Sequence, residues 1–454
     1  MALTRTIGLF VVVVLATGAV RGGDLAGIGQ PPAARPNIIL ILADDLGYGD
    51  LGVYGATDTK TPNLDRLARE GTRFTDFYAN APVCTPTRAG LITGRYQQRV
   101  MLERPLSSVG DDLQASLPVT GRSLPQLMAE AGYATALIGK WHLGFTKEAG
   151  PRAHGFGYFW GYLSGYLDWY AHVRGDGQTD LWENESPTTH RGYFHHETTR
   201  RAIRFIEQHK AEPFFLDLSY GAPHWPFQSP TTPSVAKRED NSMMQQPSDD
   251  NAPTRADYVA IMEDFDREIG KVLDAIRVQG LEQNTLVIFT SDNGGEWLSR
   301  NAPFFNRKDT VWEGGIRVPA IVRWPGVVPA DTVTSQVGIT MDFTATFLTL
   351  AGVSRPDQKL EGIDLMPTLT KGANVERTLY WRVVRPDARQ RAVRQGDYKF
   401  IEDGGLMFLY NVRTDPEERR DLAGRDPSRV RAMQMLVTAW EKDVDEEANG
   451  AGKK

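Results

Sequence analysis

Four stretches of this chain are largely apolar over strand length. Asn37-Ile-Ile-Leu-Ile-Leu-Ala43 is the clearest, and residues 133–138, 214–218 and 285–290 repeat its character. A run with no polar alternation predicts a strand buried on both faces, as in a parallel sheet covered by helices. Between these runs the apolar period changes to that of a helix. Residues 61–71 start with Pro62 and turn Leu64 and Leu67 inward, and residues 84–94 carry Pro86 in a first turn. Residues 123–131 and 341–350 predict two more helices. Tyr258, Ile261, Met262, Phe265, Ile269, Val272, Leu273 and Ile276 mark one face of a long helix ending near Gly280. A further strand is expected at 316–322. Strands alternating with helices predict an α/β fold: a mostly parallel central sheet with helices on both faces.

The pattern changes near residue 370. Short strand-like pieces at 378–383, 398–402 and 406–411 predict a small antiparallel sheet, closed by a helix over 427–443. The expected organisation is therefore a catalytic domain at 36–370 and a smaller C-terminal subdomain at 371–454. Residues 228–251 are rich in Ser, Pro, Thr and charge and predict a surface excursion, a candidate lid.

The N-terminus changes the picture. Arg5, an apolar run at 7–16 and small residues up to Gly23 follow the order of a secretory signal peptide over 1–23. The run is short for a membrane span, so export to a periplasm or to the outside is expected, without stable membrane insertion. An uncleaved anchor is the alternative. Residues 24–35 read as a Gly-, Ala- and Pro-rich linker. The rest has the composition of a globular protein, 41% apolar and 24% charged, and a net charge of −6 argues against nucleic-acid binding. The chain has one cysteine, Cys84, so no internal disulfide is possible. In an exported protein such a thiol is either reactive or modified, or else a small buried hydrophobe.

Chemistry gathers around three places. Asp44-Asp45 follow the first strand and Asp292-Asn293 follow the strand at 285–290, which sets both pairs at the carboxyl edge of a parallel sheet. Adjacent carboxylates repel unless a cation lies between them, and oxygen-only ligands favour calcium or magnesium. Helix or turn capping is the alternative use of each pair. Cys84 opens Cys84-Thr-Pro-Thr-Arg88, where the free N–H groups of a helix start attract anions. Arg88, one turn on, can bind a tetrahedral oxyanion in bidentate fashion.

Cys-x-Pro-x-Arg with the following Thr93-Gly94-Arg95 resembles the signature of the type I sulfatases, members of the alkaline phosphatase superfamily. Further matches follow in that family's order: Asp44-Asp45, Gly139-Lys140-Trp141-His142-Leu143-Gly144, Pro223-His224-Trp225-Pro226, Ser291-Asp292-Asn293-Gly294, and Lys308 ahead of Glu313-Gly-Gly-Ile-Arg317. The resemblance extends over about residues 36–425, and its wording is nearest to arylsulfatases and N-acetylgalactosamine-6-sulfatases. It implies that a separate maturation enzyme oxidises Cys84 to formylglycine (3-oxoalanine). It implies one calcium ion on Asp44, Asp45, Asp292, Asn293 and the modified Cys84. It also gives roles to Arg88 in holding the formylglycine, Lys140 and Lys308 in gripping sulfate, His142 in turnover of the nucleophile, and His224 at the leaving group. A hydrated aldehyde has two hydroxyls, one to attack sulfur and one to drive sulfate release; serine has only one.

The implied substrate is a sulfated sugar or glycan, or an aryl sulfate. Phe156, Tyr158, Phe159, Trp160, Tyr162, Tyr166, Trp169, Tyr170 and His172 would either wall its pocket or pack a large loop, and Ser164 and Asp168 among them are candidate substrate contacts. Two rival readings stay open at this level. One is a phosphodiester or phosphonate monoester hydrolase of the same superfamily; the other is a non-catalytic, calcium-dependent binder of sulfated glycans.

Overall fold

The computed structural model describes residues 35–231, 252–354, 360–385 and 388–451. The expected signal peptide, nearly all of the linker, and residues 232–251 of the candidate lid lie outside them. Among the described residues no helix is long and apolar enough to cross a membrane.

Ten strands form one sheet, in the order Thr332–Thr334, Thr72–Phe74, Ala320–Arg323, Thr285–Ser291, Asn37–Ala43, Phe214–Ser219, Ala134–Lys140, Tyr158–Tyr162, Trp182–Glu183 and Ser186–Pro187. The five from Thr285–Ser291 to Tyr158–Tyr162 run parallel, and antiparallel partners flank them. The double-sided apolar run explains the centre. Ile39, Ile41 and Ala43 enter one core, while Ile38, Leu40 and Leu42 enter the other. Burying each of the larger side chains is worth about 1.5–3 kcal/mol, which places this strand at the centre rather than an edge. Helices Pro62–Arg69, Phe194–Gln208 and Arg255–Val278 cover the first face. Helices Cys84–Thr93, Leu124–Glu130 and Met341–Leu350 cover the second.

The strand expected at 316–322 is shifted. Glu313–Ile316 is a single helical turn, and the strand is Ala320–Arg323, antiparallel to Thr285–Ser291. Arg317 turns back to ion-pair with Glu313 at 2.9 Å, and Pro319 has no N–H for a ladder bond. Strand Tyr158–Tyr162 and helix Phe194–Gln208 were not expected from the pattern. Ser123 caps helix Leu124–Glu130, its hydroxyl accepting from the Gln126 N–H at 3.4 Å.

Strands Thr378–Arg385, Ala388–Gln395, Tyr398–Asp403 and Leu406–Asn411 form an antiparallel meander, one strand more than the pattern predicts. Helix Pro427–Ala451 packs on it through Val437, Trp440 and Val444. Its core is shared with the large sheet's side: Tyr78, Tyr96, Trp312 and Ile339 pack with Trp381, Phe400 and Leu409. The Trp381 indole N–H donates to the Ala79 carbonyl at 2.9 Å, five residues ahead of Cys84.

One buried side chain fits this packing at a cost. His195 packs on Trp169 with ring centroids 4.6 Å apart, and neither ring nitrogen has a partner. Burial drives its pKa down to about 3. The unfolded chain takes up this proton near pH 6.5 while the folded chain does not, so stability is lost as pH falls below 6.5. His195→Leu is therefore expected to remove about 2 kcal/mol of the stability difference between pH 7 and pH 5, read from urea midpoints of both proteins.

Candidate active site

The parallel strands deliver the site from their carboxyl ends. Asp44 and Asp45 follow Asn37–Ala43, Lys140 ends Ala134–Lys140, Ser219 ends Phe214–Ser219, and Asp292 and Asn293 follow Thr285–Ser291. Helix Cys84–Thr93 begins there with Cys84 at its first position, and a left-handed Gly94 (φ 70°) ends it. His142, His224 and Lys308 come from the loops beyond. Asp45 and His142 both hold left-handed backbones, φ 62° and 59°, a strained geometry in non-glycine residues.

Cations and carboxylates alternate. Arg88 donates to the Asp292 carboxylate through Nε at 3.0 Å and Nη2 at 2.8 Å. Its Nη1 donates to the Lys140 carbonyl at 3.1 Å and to the Ser219 hydroxyl at 2.5 Å. Lys140 Nζ donates to both oxygens of Asp44, at 2.8 and 2.7 Å. Lys308 Nζ donates to Asp45 Oδ2 at 2.6 Å. Burial raises Asp44 well above the ordinary carboxylate range, against the pull of Lys140. Burial acts the same way on Asp45, but the Lys308 ammonium outweighs it and holds that group below the range.

The donors fit a hard cation. Ligand atoms of Asp44, Cys84 and Asp292 lie within 4.8 Å of one another. Asn293 donates through Nδ2 to Asp45 Oδ1 at 2.7 Å, which leaves its buried Oδ1 without a partner and free to coordinate. Oxygen donors of this kind suit calcium better than zinc.

Cys84 is buried, and burial pushes its thiol up to about 11. An unmodified thiol here stays protonated at neutral pH and is a poor nucleophile. His142 Nε2 faces the Leu106 carbonyl at 2.9 Å, so that nitrogen carries the hydrogen and Nδ1, buried and without a partner, is a bare acceptor. Burial and then Lys140 hold His142 well below the usual imidazole range. His224 donates from Nδ1 to the Trp225 carbonyl at 2.6 Å, and its Nε2 lies 3.5 Å from Lys308 Nζ. Burial lowers its pKa as well, so both imidazoles are neutral in this arrangement.

A cavity of about 430 Å³ opens in front of Cys84. His142, His224 and Lys308 line it, whereas Arg88, Lys140, Asp44, Asp292 and Asn293 stand behind. Of the aromatic stretch, Tyr166 alone lines it, beside Trp225. Phe156, Phe159, Trp160, Tyr162 and Trp169 are core side chains. Ser164 and Asp168 do not reach the cavity. The Ser164 hydroxyl donates to the Tyr166 carbonyl at 2.8 Å, and Asp168 accepts from the Tyr170 and Ala171 N–H groups and from Gln228. Their short polar side chains serve the loop's own backbone, which lacks a ladder to satisfy it.

Three participants escaped sequence reasoning. Ser219 holds Arg88 and has no signal beyond its place at a strand end. Glu296 lies 3.9 Å from Lys308 and is pushed up to about 7 by burial; it follows Asp292-Asn293-Gly-Gly directly. Gly165 carries the close approach of its loop to His142, where a Cβ would stand 2.8 Å from the ring.

A parallel-sheet edge that joins buried Cys84, clustered carboxylate and amide oxygens and three cations can hold a hard metal ion and a tetrahedral anion. The chain belongs to the sulfatase family: residues 36–353 match the sulfatase family model, and residues 302–443 match the model for the C-terminal part of N-sulphoglucosamine sulphohydrolase. It is thus a sulfuric ester hydrolase. It is 34% identical to dog N-acetylgalactosamine-6-sulfatase over 406 residues, covering 82% of this chain and 73% of that one. Bovine arylsulfatase A is 34% identical over 417 residues, covering 83% and 77%. Among solved structures, Ps i-CgsB superimposes with a TM-score of 0.80 at 31% identity, covering 89% of this chain and 92% of that one; a second structure of it holds a neocarrahexaose.

Proposed function

We propose that this sulfatase removes sulfate from a sulfated sugar, using formylglycine made from Cys84 and one calcium ion held by Asp44, Asp45, Asp292 and Asn293. The observation that carries this reading is the position of Cys84, a weakly acidic buried thiol at the floor of the cavity, with Asp44 and Asp292 ligand atoms within 4.8 Å. Formylglycine at position 84 would, when hydrated, supply two hydroxyls where serine has one, and a calcium ion held by these oxygens would supply positive charge that makes a hydroxyl beside it more acidic.

The chain's own groups do the rest. Lys308 faces the cavity and grips a sulfate oxygen, with Asp45 and Glu296 setting its position. Lys140 and Arg88 stand behind as fixed positive charge in a water-poor site, where charge stabilisation is strongest. His142 accepts a proton at Nδ1, its Nε2 hydrogen being committed to Leu106. The Nδ1 hydrogen of His224 is committed to Trp225 and its Nε2 carries none, so the proton for the leaving oxygen comes from the Lys308 ammonium, 3.5 Å from that nitrogen. General acid help of this kind is worth about a hundredfold or more. The named activities of the relatives support a sulfated sugar, and the N-terminal run of the sequence supports export.

Mass analysis of the Cys84 peptide is expected to give the lighter aldehyde form. A chelator is expected to stop sulfate release from 4-nitrophenyl sulfate by at least about a hundredfold, with calcium restoring it. An intact thiol in fully active enzyme, or indifference to chelation, would remove this reading. Release of phosphate in preference to sulfate from matched aryl esters would turn it toward the phosphate-ester hydrolases.

A further inference from the structure

The cavity in front of Cys84 is lined by Lys308 and, among others, by Ser107, Ser108, Tyr166, Asp176 and Trp225. Among the described lining residues, Lys308 is the one lysine or arginine and Asp176 the one carboxylate. Tyr166 and Trp225 form a continuous aromatic wall, ring centroids 3.8 Å apart, suited to the apolar face of a sugar ring. The two serine hydroxyls can meet its polar edge.

Asp176 is held in place. Both its oxygens accept from Arg174 Nε at 3.0 Å, and Oδ1 accepts the Gln178 N–H at 3.0 Å. Arg174 itself is not a lining residue, and its Nη2 donates to Gln178 Oε1 at 2.9 Å. The charge of Asp176 reaches the wall: the Tyr166 phenol is raised first by burial and then by Asp176. A side chain at position 175 would collide with the Tyr166 hydroxyl, so Gly175 is what lets this loop pack closely against Tyr166.

Resting on the sulfatase reading, we infer that the cavity takes a sugar with a single anionic group, the sulfate ester itself, and that Asp176 turns away sugars bearing a second sulfate or a carboxylate. Beyond Lys308 a second anion finds no lysine or arginine among the described lining residues and meets the Asp176 carboxylate instead. Exclusion by a like charge is a direct route to specificity.

Competition against 4-nitrophenyl sulfate tests this. The probes are N-acetylgalactosamine 6-sulfate and N-acetylgalactosamine 4,6-disulfate, each giving an inhibition constant. In the native protein the disulfate is expected to compete about tenfold or more weakly. In Asp176→Asn, where Arg174 loses its counter-charge, the ratio is expected to fall toward one. Asp176→Ser should behave alike, and thermal melts of both variants report their folding. The inference is overturned if the disulfate competes as well as the monosulfate in the native protein. It is equally overturned if neither sugar competes, or if both variants keep the native ratio. Failure of the aldehyde-bearing enzyme to turn over 4-nitrophenyl sulfate would remove the sulfatase reading, and this inference with it. Turnover with an unchanged ratio removes this inference alone.

Discussion

Cys84→Ala is expected to abolish turnover, and Cys84→Ser to release at most one equivalent of alcohol per enzyme and then stop. Loss of a catalytic nucleophile costs on the order of a millionfold in kcat. The serine variant separates two functions of position 84. Its single hydroxyl can still attack, but it has no second hydroxyl with which to expel sulfate. Measuring alcohol and sulfate in parallel distinguishes the cases, and sustained sulfate release by Cys84→Ser would contradict the scheme. Neither change should unfold the protein, because position 84 is a small site at a helix start whose neighbours are held by their own bonds. Thr85 donates to the His142 carbonyl at 3.0 Å, and the Thr87 hydroxyl donates to the Ala81 carbonyl at 2.9 Å.

Arg88→Ala is expected to act on activity and stability together. The guanidinium is buried and joins Asp292, Ser219 and the Lys140 carbonyl, with Asp44 Oδ1 at 3.8 Å. Removing it leaves buried carboxylates without their counter-charge, a loss of about 3–5 kcal/mol. Sulfate release should fall at least about a thousandfold, since Asp292 and the strand ends lose the group that fixes their spacing. Arg88→Lys keeps the charge but lacks the planar fork that reaches three partners at once, so it should recover part of the stability and little of the activity. Urea melts and steady-state sulfate release provide the two readouts. A stability loss below about 1 kcal/mol, the range of an exposed ion pair, would show that Arg88 is not the electrostatic centre of the site.

The sequence was most legible where burial is two-sided. Asn37–Ala43 could be placed because polar alternation is absent, and placing it put Asp44 and Asp45 at the sheet's carboxyl edge. Asp292 and Asn293 followed from the same logic. Less visible were elements whose polar positions are satisfied by distant partners. Ala388–Gln395 carries Arg391 and Arg394, which look exposed until Glu402 at 2.7 Å and Asp76 at 2.8 Å are brought beside them. Helix Phe194–Gln208 opens with His195, His196 and Glu197, and this polar start hides the inward spacing of Phe194, Thr198, Ala202, Phe205 and Ile206. The roles of Ser219 and Glu296 depend on neighbours that only the folded chain supplies. The aromatic stretch was ambiguous for a related reason: large rings suit a core and a binding wall equally well, and solvent access separates Tyr166 from Trp160.

The small sheet also limits how this enzyme can be taken apart. Trp381 braces the backbone just ahead of Cys84, and Trp312 and Ile339 lie beneath the meander. A chain shortened to its first 370 residues would open that seam to water and loosen the segment that carries Cys84. Anyone grafting this catalytic scaffold into a chimera, or trimming it for expression, must carry the C-terminal meander and its helix along as part of the engine.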